Sequence, residues 1–307
     1  MDVHNEALSP QAAQAMLERI WPGSVLQLIQ PVSGEYANRN FYVDARSPEG
    51  RPLKCVVKLF QGERDFIARL ARTEYAALGW LHQQGSPVPA PLFLDEEGAL
   101  LGGPALVTAF LPGAPVMSPP YPPDWGKQMA QTLASLHAFP CHPAEQPFLR
   151  DANANTLWFL RSGAVPGWMA RDSDGERVWR AVAGLRPTLV PVTPCRIHTD
   201  FWAGNLLVED GIITAVLDWG EAGYGDPGSD VAYCLMDLVL CGLDEHAGAF
   251  LDAYAAITGG PTPNLGFWML AAAARPMLIP EGWIDTSPAR ERYRAFIEDA
   301  FRRLGAP

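Results

Sequence analysis

The stretch CRIHTDFWAGNLLVEDGIITAVLDWGEAGYGDP, residues 195–227, places Asp200 and Asn205 between two apolar runs and sets Asp218 at the end of a third, 212–217. The pattern predicts strands at 205–208 and 212–217, joined through Glu209, Asp210 and Gly211 in a hairpin-like turn. Three oxygen-bearing side chains therefore sit at strand mouths. Hard divalent ions such as Mg2+ take carboxylate, amide and water oxygens and share them with substrate phosphates. Asn205 and Asp218 have that chemistry, which leaves Asp200 to accept a proton from an attacking hydroxyl. A D-x-x-x-x-N pair alone arises by chance roughly once in two chains of this length. His198 before Asp200, the apolar runs on both sides, and Trp219-Gly220 after Asp218 make the joint pattern far more specific.

Outward from this stretch the chain is uneven. With 307 residues, 48% apolar and 19% charged, it is long and apolar enough for two packed lobes. The run P-G-A-P-V-M-S-P-P-Y-P-P from Pro112 cannot be a helix or a central strand and reads as a connector. Residues 1–111 form the first lobe, with β-rich runs at 25–29, 40–45, 53–60 and 105–111 and one helical pattern between them. Residues 112–307 form the second, with helical patterns at 124–138, 229–241, 247–257 and 289–304. The fold class expected is α+β: a small antiparallel-sheet lobe with one main helix, then a larger, mainly helical lobe.

The helical pattern of the first lobe carries an anomaly. Ile67, Leu70, Leu78 and Leu81 share a stripe, and the position that completes it is Glu74. An unpaired buried charge costs several kcal/mol, so this carboxylate must reach water or meet a cation. Lys58 is the nearest candidate: in C-V-V-K-L-F, Cys55, Val57 and Leu59 share one strand face while Lys58 points to the other with Val56 and Phe60. The two readings are one buried Lys58–Glu74 pair or two side chains that snorkel to water.

These residues together resemble the protein-kinase-like superfamily, and within it the aminoglycoside phosphotransferase and choline-kinase-like branch. The resemblance rests on H-T-D-F-W-A-G-N at 198–205, V-L-D-W-G at 216–220 and G-D-P-G-S-D-V-A at 225–232, with V-V-K-L-F at 56–60 and T-E-Y-A-A-L-G-W-L at 73–81 upstream. V-P-A-P at 88–91, L-V-T-A-F-L-P-G at 106–113 and L-A-S-L-H ending at His137 recur in the same branch. It implies a bilobal protein-kinase-like fold with a nucleotide-binding first lobe and a second lobe holding catalytic loop and acceptor. It also implies an ATP- and Mg2+-dependent phosphotransferase with Asp200 as catalytic base, Asn205 and Asp218 as metal ligands, and Lys58 on the phosphates with Glu74 holding it. Adenine would lie against the backbone of Thr108, Ala109, Phe110 and Leu111, and His198 and Asp230 would brace the catalytic loop.

The sequence departs from the protein-kinase pattern in two places. Where a protein kinase has G-x-G-x-x-G, P-V-S-G-E-Y-A-N-R-N-F offers only Gly34, so Ser33, Asn38 or backbone amides are expected to cover the phosphates. No A-P-E triplet follows Asp218, which favours a small acceptor over a protein. Acidic residues outnumber basic ones 12 to 9 in residues 1–111 and 22 to 14 in residues 112–307, so the second lobe carries most of the formal charge of -11. That balance disfavours nucleic acid; it either draws cationic acceptors such as aminoglycoside-type antibiotics or choline, or is a solvated acidic face that keeps the protein soluble. Homoserine, sugars and a catalytically silent nucleotide-binding scaffold are the alternatives. A metal hydrolase built on His198 and Asp200 lacks an H-x-H or H-E-x-x-H partner motif. Five cysteines without a C-x-x-C pair suggest free thiols. The first residues lack the order of a signal peptide, and the apolar segment 267–280 is interrupted by Arg275 and Pro276, so a cytoplasmic protein with no membrane partner is expected.

Overall fold

Residues 8–32, 38–139, 141 and 148–305 are described by the computed structural model. The chain divides into two units, one comprising Met1–Gly113 with Thr214–Glu221 and the other Ala114–Ile213 with Ala222–Pro307. The division expected at 111/112 is contiguous, whereas the short segment that carries Asp218 groups with the first unit.

In the first unit, helix α1 (Pro10–Ile20) starts where Ser9 caps the amide of Ala12 and a proline fills the first helical position. Strands β1 (Val25–Pro31), β2 (Arg39–Arg46) and β3 (Pro52–Leu59) follow, then the 20-residue helix α2 (Arg64–Gln83), β4 (Pro91–Asp95) and β5 (Ala105–Ala109). The five strands form an antiparallel sheet in the order β1-β2-β3-β5-β4. Alternation decides its faces. Cys55, Val57 and Leu59 of β3 join Phe41, Val43, Val107 and the α1 residues Met16 and Leu17 in one core. Lys58 therefore projects from the opposite face, paired in register with Asn40 of β2 and Leu106 of β5. Sequence reasoning passed over α1 and β4. β4 is half-buried along almost its whole length, so it shows no period of two.

The second unit begins with α3 (Trp125–His137), followed by β6 (Arg150–Asp151), α4 (Ala152–Thr156) and α5 (Gly175–Leu185). β7 (Cys195–Ile197) and β8 (Leu206–Glu209) flank the loop that carries Asp200, and β9 (Ile212–Val216) follows β8 in the chain, its residues from Thr214 on grouping with the first unit. β10 (Gly223–Gly225) lies between β6 and β7 in a three-stranded sheet. Helices α6 (Gly228–Leu240), α7 (Asp244–Thr258), α8 (Leu265–Leu278) and α9 (Ser287–Arg303) complete it. α6 and α8 are apolar nearly all round and are buried nearly all round. Gly126 lets α3 and α7 approach closely, since a Cβ there would lie 2.0 Å from the carbonyl oxygen of His246. Helix α8 runs through Arg275 and Pro276 to Leu278. Pro276 removes one backbone hydrogen bond, to the carbonyl of Ala272, but only two helical residues follow it. Among the described residues no helix is long and apolar enough to cross a membrane.

Candidate active site

The first unit assembles one charged cluster. Lys58 Nζ lies 2.7 Å from Glu74 Oε2 and 2.7 Å from Asp218 Oδ1. The side chains of Lys58 and Glu74 are 12% and 5% exposed, that of Asp218 46%, so the lysine bridges a buried carboxylate to an exposed one. Burial opposes the ammonium charge, but Glu74 and then Asp218 outweigh it and push Lys58 up to about 12. Burial, supported by Asp218, raises the Glu74 carboxyl against the pull of Lys58. Asp218 itself sits at φ +61°, a left-handed conformation that Asp tolerates better than most residues.

Of the other positions expected in this unit, Thr108 and Ala109 end β5, and Phe110 and Leu111 follow it. The amide of Ala109 donates to Ala90 O at 2.8 Å and that of Phe110 to Lys54 O at 3.3 Å, so both are already engaged. Asn38 Oδ1 accepts the amide of Gln61 at 3.1 Å. Ser33 and Gly34 lie outside the described residues.

The second unit holds Asp200 in a loop kept open by strain and hydrogen bonds. Thr199 has φ +70°, a genuine outlier for a β-branched residue, of a kind costing about 1–3 kcal/mol. Its peptide is fixed from both sides: the amide donates to Asp230 Oδ1 at 2.7 Å, and the carbonyl accepts from Arg275 Nη2 at 2.7 Å. Asp230 Oδ2 also accepts the His198 amide at 2.6 Å and lies 3.1 Å from His137 Nε2, whose Nδ1 meets Tyr254 Oη at 2.7 Å. Burial opposes the charge on the fully buried Asp230, yet the hydrogen bond from His137 and the neighbouring histidines hold its carboxyl below the usual carboxylate range. His198 Nδ1 accepts the Asp200 amide at 3.2 Å, so the ring braces the loop from inside.

Asp200 itself is met on three sides. Oδ1 accepts from Tyr233 Oη at 2.6 Å and Arg275 Nη1 at 3.1 Å. Oδ2 accepts from Asn205 Nδ2 at 3.0 Å, and the same amide nitrogen donates to the Asp200 carbonyl at 2.9 Å. Asn205 closes the short turn Ala203–Asn205. A Cβ on Gly204 would lie 2.5 Å from the Trp202 ring, so any side chain there would displace that ring. With Nδ2 committed twice to Asp200, the carbonyl oxygen Oδ1 is the metal-capable atom of Asn205. Burial above all raises the Tyr233 phenol, and the charge on Asp200 adds to it, so this hydroxyl remains a donor.

Sequence reasoning missed Tyr233, Arg275 and Tyr254, and quoted His137 only as the end of a recurring motif; α6 also carries a further acid, Asp237. Tyr233 lies three residues after Asp230 and Asp237 four after Tyr233, so the helical period puts all three on one face of α6. Arg275 is a lone cation in an apolar helix, the same kind of anomaly that exposed Glu74. Asp237 is buried and its carboxyl is pushed up to about 7, mainly by burial and further by Asp200, against a hydrogen bond from the Ala203 backbone. A raised carboxyl favours the folded state at low pH and loses that contribution as pH climbs from the unfolded value toward 7. Asp237→Asn is therefore expected to gain stability over wild type between about pH 4 and 7, by at most about 1.4 kcal/mol per pH unit, and to hold a constant advantage above that. Parallel thermal melts across pH check this, and a flat difference would refute it.

Among the described residues no three His, Cys, Asp or Glu side chains group as a metal site. An antiparallel sheet presenting a buried Lys–Glu pair and a helical unit presenting a D-x-x-x-x-N loop define a bilobal, kinase-like α+β protein. The chain belongs to the phosphotransferase enzyme family, whose sequence profile matches residues 28–265. Viomycin phosphotransferase of Streptomyces vinaceus is 33% identical over 162 residues, 48% of this chain and 55% of that protein, so the chain spans about half of that relative. The solved macrolide 2'-phosphotransferase of Brachybacterium faecium is 20% identical, with TM-score 0.61 over 94% of this chain and 98% of the other. A thermostable mutant of an aminoglycoside phosphotransferase, solved with AMP-PNP and hygromycin B, is 17% identical, with TM-score 0.61 over 94% and 98% of the two chains.

Proposed function

We propose that this chain transfers the γ-phosphoryl group of ATP, in the presence of Mg2+, to a hydroxyl of a small molecule of the antibiotic type. The observation that carries this reading is the Asp200–Asn205 arrangement, in which one carboxylate is oriented to accept a proton and one amide oxygen is left for a cation. Family membership and the named relatives supply the substrate class.

Mg2+ fits the residues present, since Asn205 and Asp218 offer hard oxygens and a small octahedral ion takes only one or two protein groups beside phosphates and water. When bound, the ion neutralises charge developing on the transferring phosphoryl group. Asp200 orients the acceptor hydroxyl and takes its proton. Lys58, held by Glu74, binds the α- and β-phosphates. The backbone of Thr108 to Leu111 receives the adenine, with Ser33, Gly34 and Asn38 nearer the phosphates. His198 and Asp230 fix the loop. The first unit is the nucleotide side and the second the acceptor side, and a cytoplasmic location, where ATP is held, goes with this reading.

Melting temperatures in the presence of Mg2+ and a nonhydrolysable ATP analogue test it directly, followed by viomycin, hygromycin B, macrolides, choline, homoserine and aminosugars in turn. Each ligand at about a hundred times its Kd adds roughly 2.7 kcal/mol. A shift of several degrees with nucleotide and a further one with an antibiotic is expected. No response to nucleotide overturns the proposal.

A further inference from the structure

We infer that Arg275 is a positioning residue which, together with Tyr233, occupies Oδ1 of Asp200, so that the acceptor hydroxyl is received by Oδ2 alone. The inference rests on the phosphotransfer reading above and assigns a role to a residue from α8.

An ionised carboxylate offers about four lone-pair sites, two on each oxygen. Tyr233 Oη at 2.6 Å and Arg275 Nη1 at 3.1 Å take both on Oδ1. Asn205 Nδ2 at 3.0 Å takes one of the two on Oδ2. One site then remains on the carboxylate, on the oxygen next to the metal-capable amide. A carboxylate rotates readily about its terminal bond, so without the pair on Oδ1 it could present either oxygen.

Arginine suits this task because its fork is planar. One guanidinium nitrogen reaches Asp200, and the other fixes the carbonyl of the strained Thr199 at 2.7 Å. Its Cζ lies 4.3 Å from the centroid of the Tyr233 ring, and the Trp283 ring packs edge-on to Tyr233 with centroids 5.9 Å apart. Arg275 and Tyr233 thus hold each other as well as Asp200. A lysine would bring a point charge without the second directed bond.

The test uses the full chain with MgATP and water as acceptor, so no antibiotic need be known. Arg275→Met is expected to lower kcat for ATP hydrolysis about 100-fold, the effect of a misplacement near 1 Å, with KM for ATP within about twofold. Millimolar guanidinium ion should restore at least about tenfold of that loss, and should do nothing for Asp200→Ala. Tyr233→Phe, which keeps the ring and leaves the fold undisturbed, should lose about tenfold in kcat, and Arg275→Lys should fall between Met and wild type. Wild-type kcat in both Arg275→Met and Tyr233→Phe overturns the inference. So does a loss in Arg275→Met that guanidinium leaves untouched and a fallen Tm accompanies. A wild-type chain that binds MgATP yet turns over neither water nor any acceptor overturns the phosphotransfer reading instead, and the inference with it.

Discussion

On the proposed function, replacing Asp200 by alanine is expected to lower phosphoryl transfer about a thousandfold while leaving nucleotide affinity within about threefold. A positioned base contributes roughly 10²–10⁴ in rate, and the binding determinants proposed for the phosphates reside on other side chains. The loop should survive the change. Thr199 stays fixed through its amide on Asp230 and its carbonyl on Arg275, and neither bond involves the Asp200 carboxylate. Single-turnover rates, with titration of a nonhydrolysable ATP analogue alongside, separate the two effects. Loss of rate and affinity in parallel would mean that Asp200 serves the structure of the site and not the proton.

The second large effect is on metal dependence. Asp218→Asn is expected to remove the gain that Mg2+ brings to nucleotide binding, from at least about tenfold in wild type to less than about twofold. Asparagine is the informative replacement because it tolerates the φ of +61° at this position, whereas alanine would add backbone strain to the lost charge. The carboxylate sits 2.7 Å from Lys58 Nζ, so its removal also withdraws one of the two charges that raise that lysine. Glu74, at the same distance, keeps the ammonium paired. Calorimetric titration of nucleotide with and without Mg2+ reads the coupling, and an undiminished Mg2+ effect in the variant would remove Asp218 from the proposed metal site.

Much of this arrangement was legible before any coordinates, for reasons that particular residues make plain. Strand alternation at Cys55, Val57 and Leu59 put Lys58 on the opposite face, and a carboxylate in an apolar helical stripe had to reach water or meet a cation; the contact selects the second. The spacing from His198 through Asn205 to Asp218 marked the loop and the strand mouths. Long-range partners were less accessible. Arg275 stands 75 residues from Asp200, in a segment that reads only as an interrupted apolar run. No local period relates the two. Thr214–Glu221 groups with the first unit, which a division made along chain order cannot express. The half-buried β4 lacked any periodicity to read, while Ser9 and Pro10 did carry a helix-start signal for α1.

The most direct measurement follows the label from γ-phosphate-labelled ATP through incubation with Mg2+, a panel of hydroxyl-bearing antibiotics, and either the wild-type chain or Asp200→Asn. Label in a stable phosphorylated small molecule with wild type, and its near absence with the variant, is the result expected. Label released only as inorganic phosphate across the whole panel, at equal rates in the two proteins, would contradict it.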